Sequence, residues 1–292
     1  MLLPSSSEII GGGQAEAADA GLFVGTGRTA MTDKSCKGNP NNVVLSNYLF
    51  VRFLAKDRQF TRVNFQYSIF ESCYLRNCTF KECNFTGCKF VGTNLMGSRF
   101  EGCNFDYAVF ERTIVDDKIL SSSVPSWENL AVSFARTLRM NFQQIGDSVA
   151  VNKAIRLELD SRQVQLWKAW HSPESYYRQK YANLDRLEMF VAWAKFKILD
   201  FIWGNGENAL KLIRTFCVIL LAIAFVDIFL EPRGGPLLVS NCYHSLLSSA
   251  PILFGVESPH SYPSWYLAVI VVTRLAFFGM FLSTLVKRLS RR

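Results

Sequence analysis

The chain has 292 residues, of which 49% are hydrophobic and 14% aromatic, and carries a net charge of +8, a length that admits two or three domains. A basic excess suits nucleic acid only where it is clustered, and between Phe60 and Val115 six Lys or Arg stand against five Asp or Glu, so no nucleic-acid partner is expected there. The three histidines, His171, His244 and His260, are scattered, and no phosphate loop, nucleophile elbow or metal motif occurs, which predicts a non-enzyme without a cofactor.

In chain order, residues 1–42 read as an unstructured tail, with Ser5 to Ser7, Gly11 to Gly13 and Gly38-Asn39-Pro40 lacking periodicity. Met1-Leu2-Leu3-Pro4 has no positive start before an apolar core, so a cleaved signal peptide is not expected. From Leu45 through Phe50 to Ala55 a five-residue phase is weakly present, as in a degenerate first coil that caps the repeat. From Phe60 the phase is strict: Phe65, Phe70, Leu75, Phe80, Phe85, Phe90, Leu95, Phe100, Phe105, Phe110, Val115 and Leu120. Two residues before most of these stands a small residue, among them Ser68, Cys73, Cys78, Cys83, Cys88, Thr93, Ser98 and Cys103. A period of five fits neither a helix nor a flat strand, so residues 43–122 form a solenoid with the large track as its core.

Units such as Cys83-Asn84-Phe85-Thr86-Gly87 and Cys103-Asn104-Phe105-Asp106-Tyr107 resemble the pentapeptide-repeat family. The resemblance implies a right-handed quadrilateral β-helix with four repeats per coil, here some three coils, with the Phe or Leu and the small residue facing inward. Some relatives mimic DNA, a role that needs an acidic, elongated rod, and this solenoid is neither. Five of the eight cysteines lie on the small track and read as core filler in a reducing compartment. Cys73, Cys78, Cys83 and Cys88 supply one thiol per wall, too widely spread for zinc, and Cys83 and Cys103 would cross-link only if oxidised.

After the linker Ser121 to Pro125, residues 126–206 read as helical. Ser126 is a candidate N-cap for a helix carrying Leu130, Phe134, Leu138 and Phe142, which stops at Gly146, and Asp147 caps the next. A third helix starts at Pro173 and runs through Tyr181 to Trp203, its interleaved aromatics and lysines fitting a membrane surface.

Residues 207–292 read as a two-span membrane domain. Leu212 to Leu230 carries only Arg214 and Asp227 as charges, and Trp265 to Val286 only Arg274, each long enough for a bilayer core. Lys195, Lys197, Lys211 and Arg214 precede the first span and Lys287, Arg288, Arg291 and Arg292 follow the second, while Arg233 stands alone between them. The positive-inside rule therefore predicts an inner (plasma) membrane protein with both termini cytoplasmic.

The serine-rich stretch within 240–258 is too short to span and reads as a re-entrant half-helix, so that residues 45–292 resemble bacterial proteins joining pentapeptide repeats to a two-span, potassium-channel-like domain. The resemblance places a filter at Leu253, Phe254, Gly255, Val256 and Glu257, where threonine and the second glycine are missing. A carbonyl cage is replaced in this reading by a ring of Glu257 carboxylates. Asp227 and Arg274 are expected to pair within the membrane, since a central charge needs a partner. The fold class is thus a multidomain membrane protein with a β-helix, a helical middle and two transmembrane helices around a pore-like loop. Two functions are compatible with it: an oligomeric channel-like pore conducting cations, a tetramer if channel-like, or a non-conducting membrane-anchored scaffold that binds a protein partner on its solenoid. Membrane lipid is a partner in both.

Overall fold

A computed structural model describes residues 27–182, 184–230 and 239–290 in two compact units, residues 1–125 and 126–292. Most of the expected tail, the turn containing Arg233, and Arg291 and Arg292 lie outside the described residues.

In the first unit eight short strands wind as a four-walled β-solenoid: β1 (Thr29–Thr32), β2 (Tyr48–Val51), β3 (Gln59–Thr61), β4 (Ile69–Glu71), β5 (Thr79–Lys81), β6 (Lys89–Val91), β7 (Arg99–Glu101) and β8 (Val109–Glu111). One wall stacks β1-β2-β4-β6-β8 and another β3-β5-β7, all parallel. Bridges through Leu54, Tyr74, Asn94 and Ile114, and through Val44, Asn64, Asn84 and Asn104, make the other two. From β2 onward partners are twenty residues apart, as in Leu49 with Ile69, which is four five-residue units per coil.

The large track forms the core. Phe50, Phe70, Phe90 and Phe110 stack along one wall with ring centroids 4.8 to 4.9 Å apart, and Phe65, Phe85 and Phe105 at 5.1 and 4.9 Å along another. Those spacings equal the strand-to-strand distance, so coil pairing and ring stacking set one another. Each coil corner places a residue in the left-handed region, including Arg62 (φ 50°), Tyr67 (φ 59°) and Glu82 (φ 52°), at roughly 1–2 kcal/mol each. The backbone N–H at those corners donates to the next coil, as from Arg62 to Lys81 at 2.8 Å and from Tyr67 to Thr86 at 2.9 Å, which offsets the strain.

Two expectations are corrected. The solenoid begins at Thr29, not residue 43, so five strands stack on the longest wall where three coils were expected. At the other end Leu120 leaves the repeat and lies, buried with Ile119, on a single helical turn α1 (Ile119–Ser122) that closes the last coil.

The second unit opens with the antiparallel pair α2 (Glu128–Ile145) and α3 (Ser148–His171). Leu130, Phe134, Leu138 and Phe142 on α2 face Ala150, Val151 and Ala154 on α3, all buried. Gly146 ends α2 at φ 79° with its N–H on Gln143, and the Asp147 carboxylate accepts from Ala150 to start α3, as the sequence predicts. The start of α2 differs: Trp127, not Ser126, is its first flanking residue, and no side chain caps it.

The single helix expected from Pro173 to Trp203 is two, α4 (Ser175–Lys180) and α5 (Leu184–Trp203), broken at Tyr181, whose extended backbone (φ −122°, ψ 96°) no helix can contain. Tyr177 of α4 donates to Glu128, which also receives Lys168, holding the short helix on the hairpin. α5 lies on α3 through Trp170 against Phe190 and Trp193, at 5.1 and 5.4 Å. Leu184, Leu187, Val191 and Ile198 stay exposed. A tight turn, Gly204–Gly206, leads to α6 (Ala209–Leu230), and α7 (Val239–Phe254) and α8 (Ser264–Ser290) complete the unit.

Candidate functional site

α6 has 22 residues and α8 27, about 33 and 40 Å long, and both are long and apolar enough to cross a membrane. Leu221, Phe225 and Phe229 on α6 and Val272, Leu275 and Phe278 on α8 are exposed. A small core of Ile223, Ile252, Leu253, Tyr262 and Ile270 joins α6, α7 and α8.

Of the filter candidates, Leu253 and Phe254 end α7, and Gly255, Val256 and Glu257 form the turn that follows it. Leu253 is buried in that core, Phe254 is the last residue of α7, and Gly255 follows at φ 76°. Gly255 N–H bonds the carbonyl of Ile252 at 3.1 Å and Val256 N–H that of Pro251 at 2.9 Å, the paired bonds of a glycine-terminated helix. One surviving glycine is what a helix stop requires, whereas two would be needed for a strained carbonyl cage. Val256 and Glu257 beyond it are exposed.

Arg274 reaches this helix end from α8. Its Nη1 donates to the Phe254 carbonyl at 2.9 Å, and a Cβ on residue 255 would collide with the same nitrogen. The guanidinium therefore satisfies a terminal carbonyl and sits at the negative end of the α7 dipole.

Asp227 is 1% exposed and accepts from the Tyr262 hydroxyl at 2.6 Å through Oδ1, while Oδ2 is buried with no hydrogen-bond partner among the described residues. The structure does not bring Asp227 and Arg274 together as a pair: Tyr262 serves the first and the α7 terminus the second. Sequence spacing alone favours the pair because it weighs only depth along two helices, and neither a tyrosine beyond α7 nor a main-chain carbonyl carries a charge signal.

Other basic residues near the spans are also engaged. Lys211 bonds Asp200 at 2.7 Å, and Arg214 donates to the Phe201 carbonyl with its guanidinium 4.3 Å over that ring. Thr215 donates to Ile202, so the end of α5 and the start of α6 are locked together.

In the solenoid the small track proves to be a hydrogen-bonded ladder. Cys88 Sγ donates to Phe65 O at 2.9 Å, Thr93 Oγ1 to Phe70 O at 3.0 Å and Ser98 Oγ to Leu75 O at 2.6 Å, each reaching back to the preceding coil. Burial pushes the Cys73 thiol up to about 11 and Cys88 up to about 12, so these thiols stay protonated. Cys83 and Cys103 donate to Phe60 O and Phe80 O of their preceding coils, and the proximity of the two thiols holds the first down and pushes the second up. Among the described residues no group of His, Cys, Asp or Glu could hold a metal ion.

A family model of pentapeptide repeats, in nine copies, matches residues 65–117. This stretch is a pentapeptide-repeat solenoid. Two solved structures of trypsin-treated QnrB1, a plasmid-mediated fluoroquinolone resistance protein, are similar at 20% identity over 30% and 31% of this chain, with TM-scores of 0.24 and 0.15. The chain spans 54% and 62% of their length. No curated protein matches it.

Outside the repeat core, three features escape sequence reasoning: the Phe254 carbonyl as the partner of Arg274, Tyr262 as the partner of Asp227, and the helix-stop role of Gly255. For the last a signal exists, since glycine directly after an apolar helical run is the usual stop.

Proposed function

We propose that the chain is not an enzyme but a membrane-anchored pentapeptide-repeat scaffold, its α6 and α8 crossing the inner (plasma) membrane with both termini cytoplasmic, and its solenoid binding a protein partner. The observation that carries the non-conducting reading is the Arg274 guanidinium on the Phe254 carbonyl. A channel-like half-helix aims its unsatisfied C-terminal carbonyls at a cation, and here that negative end is already occupied by a positive charge. The solenoid offers apolar side chains on its outside, including Leu54 and Ile114 on one wall and Tyr67 and Tyr107 at one corner, as a protein surface would.

Bilayer recording of the purified chain tests it. Silence in wild type and in Glu257→Lys is the expected result, and cation currents abolished by Glu257→Lys would overturn it. The order of span, helix and span, with Glu257 exposed just past α7, favours the second reading, a cation-conducting homo-oligomer, tetrameric if channel-like. A monomer in detergent would remove that reading.

A further inference from the structure

Where the first turn of α6 meets the last turns of α8, a cavity of about 500 Å³ opens against α3. Its polar lining includes Ser148, Asn152 and Arg156 of α3, Glu207 and Asn208 before α6, and Lys287 near the end of α8. We infer that this cavity binds the phosphate of an anionic phospholipid headgroup, an assignment that rests on the membrane reading of α6 and α8.

Charge is the first ground. Arg156 is exposed and has no ion-pair partner among the described residues. Lys287 lies 4.0 Å from Glu207 and 5.7 Å over the Trp203 ring. One carboxylate against two cations leaves a net positive pocket, and the neutral Asn208 side chain, which accepts from Leu210 and Lys211, caps α6 without adding negative charge. The start of α3 contributes less, because Asp147 already places an anion there.

Position is the second ground. The end of α8 beside the start of α6 makes the two apolar helices antiparallel, so the cavity marks the level at which both leave their apolar stretches. That level is where lipid phosphates lie. Leu210, 76% exposed at the rim, offers an apolar shoulder to the glycerol and upper chain, which a free anion would not use.

The test uses the full chain in neutral detergent, with Trp fluorescence reading the addition of dioctanoylphosphatidylglycerol, dioctanoylphosphatidylcholine or inorganic phosphate. The anionic lipid is expected to bind, with the other two far weaker. Arg156→Gln with Lys287→Gln should weaken it about twenty-fivefold, from about fivefold per basic residue. Arg156→Lys with Lys287→Arg keeps both charges and should bind nearly as wild type, which separates lost charge from lost folding. Equal binding by wild type and the glutamine pair overturns the assignment, as does inorganic phosphate binding as tightly as the lipid. Carbonate extraction of membranes keeps the two readings apart: release of the chain sinks the membrane reading and the lipid source with it, whereas a carbonate-resistant chain indifferent to the glutamine pair sinks the pocket alone.

Discussion

The guanidinium of Arg274 on α8 donates to the carbonyl of Phe254, the last residue of α7, at 2.9 Å. A charge that would cost about 2.5–3.5 kcal/mol at the centre of a membrane helix is thereby placed against a helix terminus, where both its charge and one donor are used. A Cβ on residue 255 would meet the same guanidinium, so a side chain there requires the end of Arg274 to move aside.

Arg274→Leu should destabilise the helical unit by about 0.5–1.5 kcal/mol, the net worth of the hydrogen bond to the exposed Phe254 carbonyl. Thermal unfolding in detergent measures this, and Arg274→Lys, which keeps charge and a donor, should recover part of the loss. Reversing both charges, Asp227→Arg with Arg274→Asp, should not restore assembly lost in either single reversal. Recovery in that double variant would mean that the two residues do pair.

Gly255→Ala carries two separable penalties. One is the left-handed backbone at φ 76°, roughly 1–2 kcal/mol for a residue with a Cβ, and the other is the collision with Arg274. Combining it with Arg274→Ala removes only the collision, so the two destabilisations should be less than additive when both are followed by thermal unfolding. Full additivity would show that the Cβ finds room beside the guanidinium.

The repeat core is legible because five-residue phasing puts Phe70, Phe90 and Phe110 on one wall, and no other regular structure has that period. The first coil is not. Thr29 pairs with Tyr48, nineteen residues on, whereas Leu49 pairs with Ile69, twenty on, so counting back by fives from Phe50 lands on Ala30 when the paired residue is Met31. The missing residue falls between Ser35 and Asn41, since Ser35 bridges Leu54 and Asn41 bridges Thr61. Left-handed corners at Arg62 and Glu82 are equally hidden, because neither residue type prefers that conformation and the coil-to-coil ladder imposes it. In the helical unit, length and apolarity identify α6 and α8, but the partners of their charges are a main-chain carbonyl and a phenol, neither of which periodicity reports.

Phe85 is the position at which the solenoid should be most sensitive. Its ring meets Phe65 and Phe105 in its own stack and Phe70, Phe80, Phe90 and Phe100 at the sides. Phe85→Ala should cost about 3–5 kcal/mol, and Phe85→Leu less, because leucine fills most of the volume and loses the stack. Hydrogen exchange of the full chain reads the result locally: faster exchange should spread to both neighbouring coils and leave α2 and α3 unchanged. Equal acceleration in α2 and α3 would show that the two units unfold as one.

The buried thiols predict an alkaline weakness. Cys73 and Cys88 ionise near 9.0 when unfolded, but burial pushes them up to about 11 and about 12 in the solenoid. Folded-state values raised in this way mean that the unfolded chain loses protons first as pH rises. The stabilising contribution is therefore complete below about pH 9 and declines between 9 and 12. Denaturant titration at stepped pH should show a solenoid transition that weakens across that window, and Cys73→Ser with Cys88→Ser should flatten the decline, because a hydroxyl does not titrate there and can still donate to the carbonyls of the coil before. At pH 8 the folded chain should leave Cys88 unalkylated by iodoacetamide while the partly exposed Cys36 reacts. Modification of both at equal rates would mean that the coils open far more often than their stacked rings and hydrogen-bonded ladder allow.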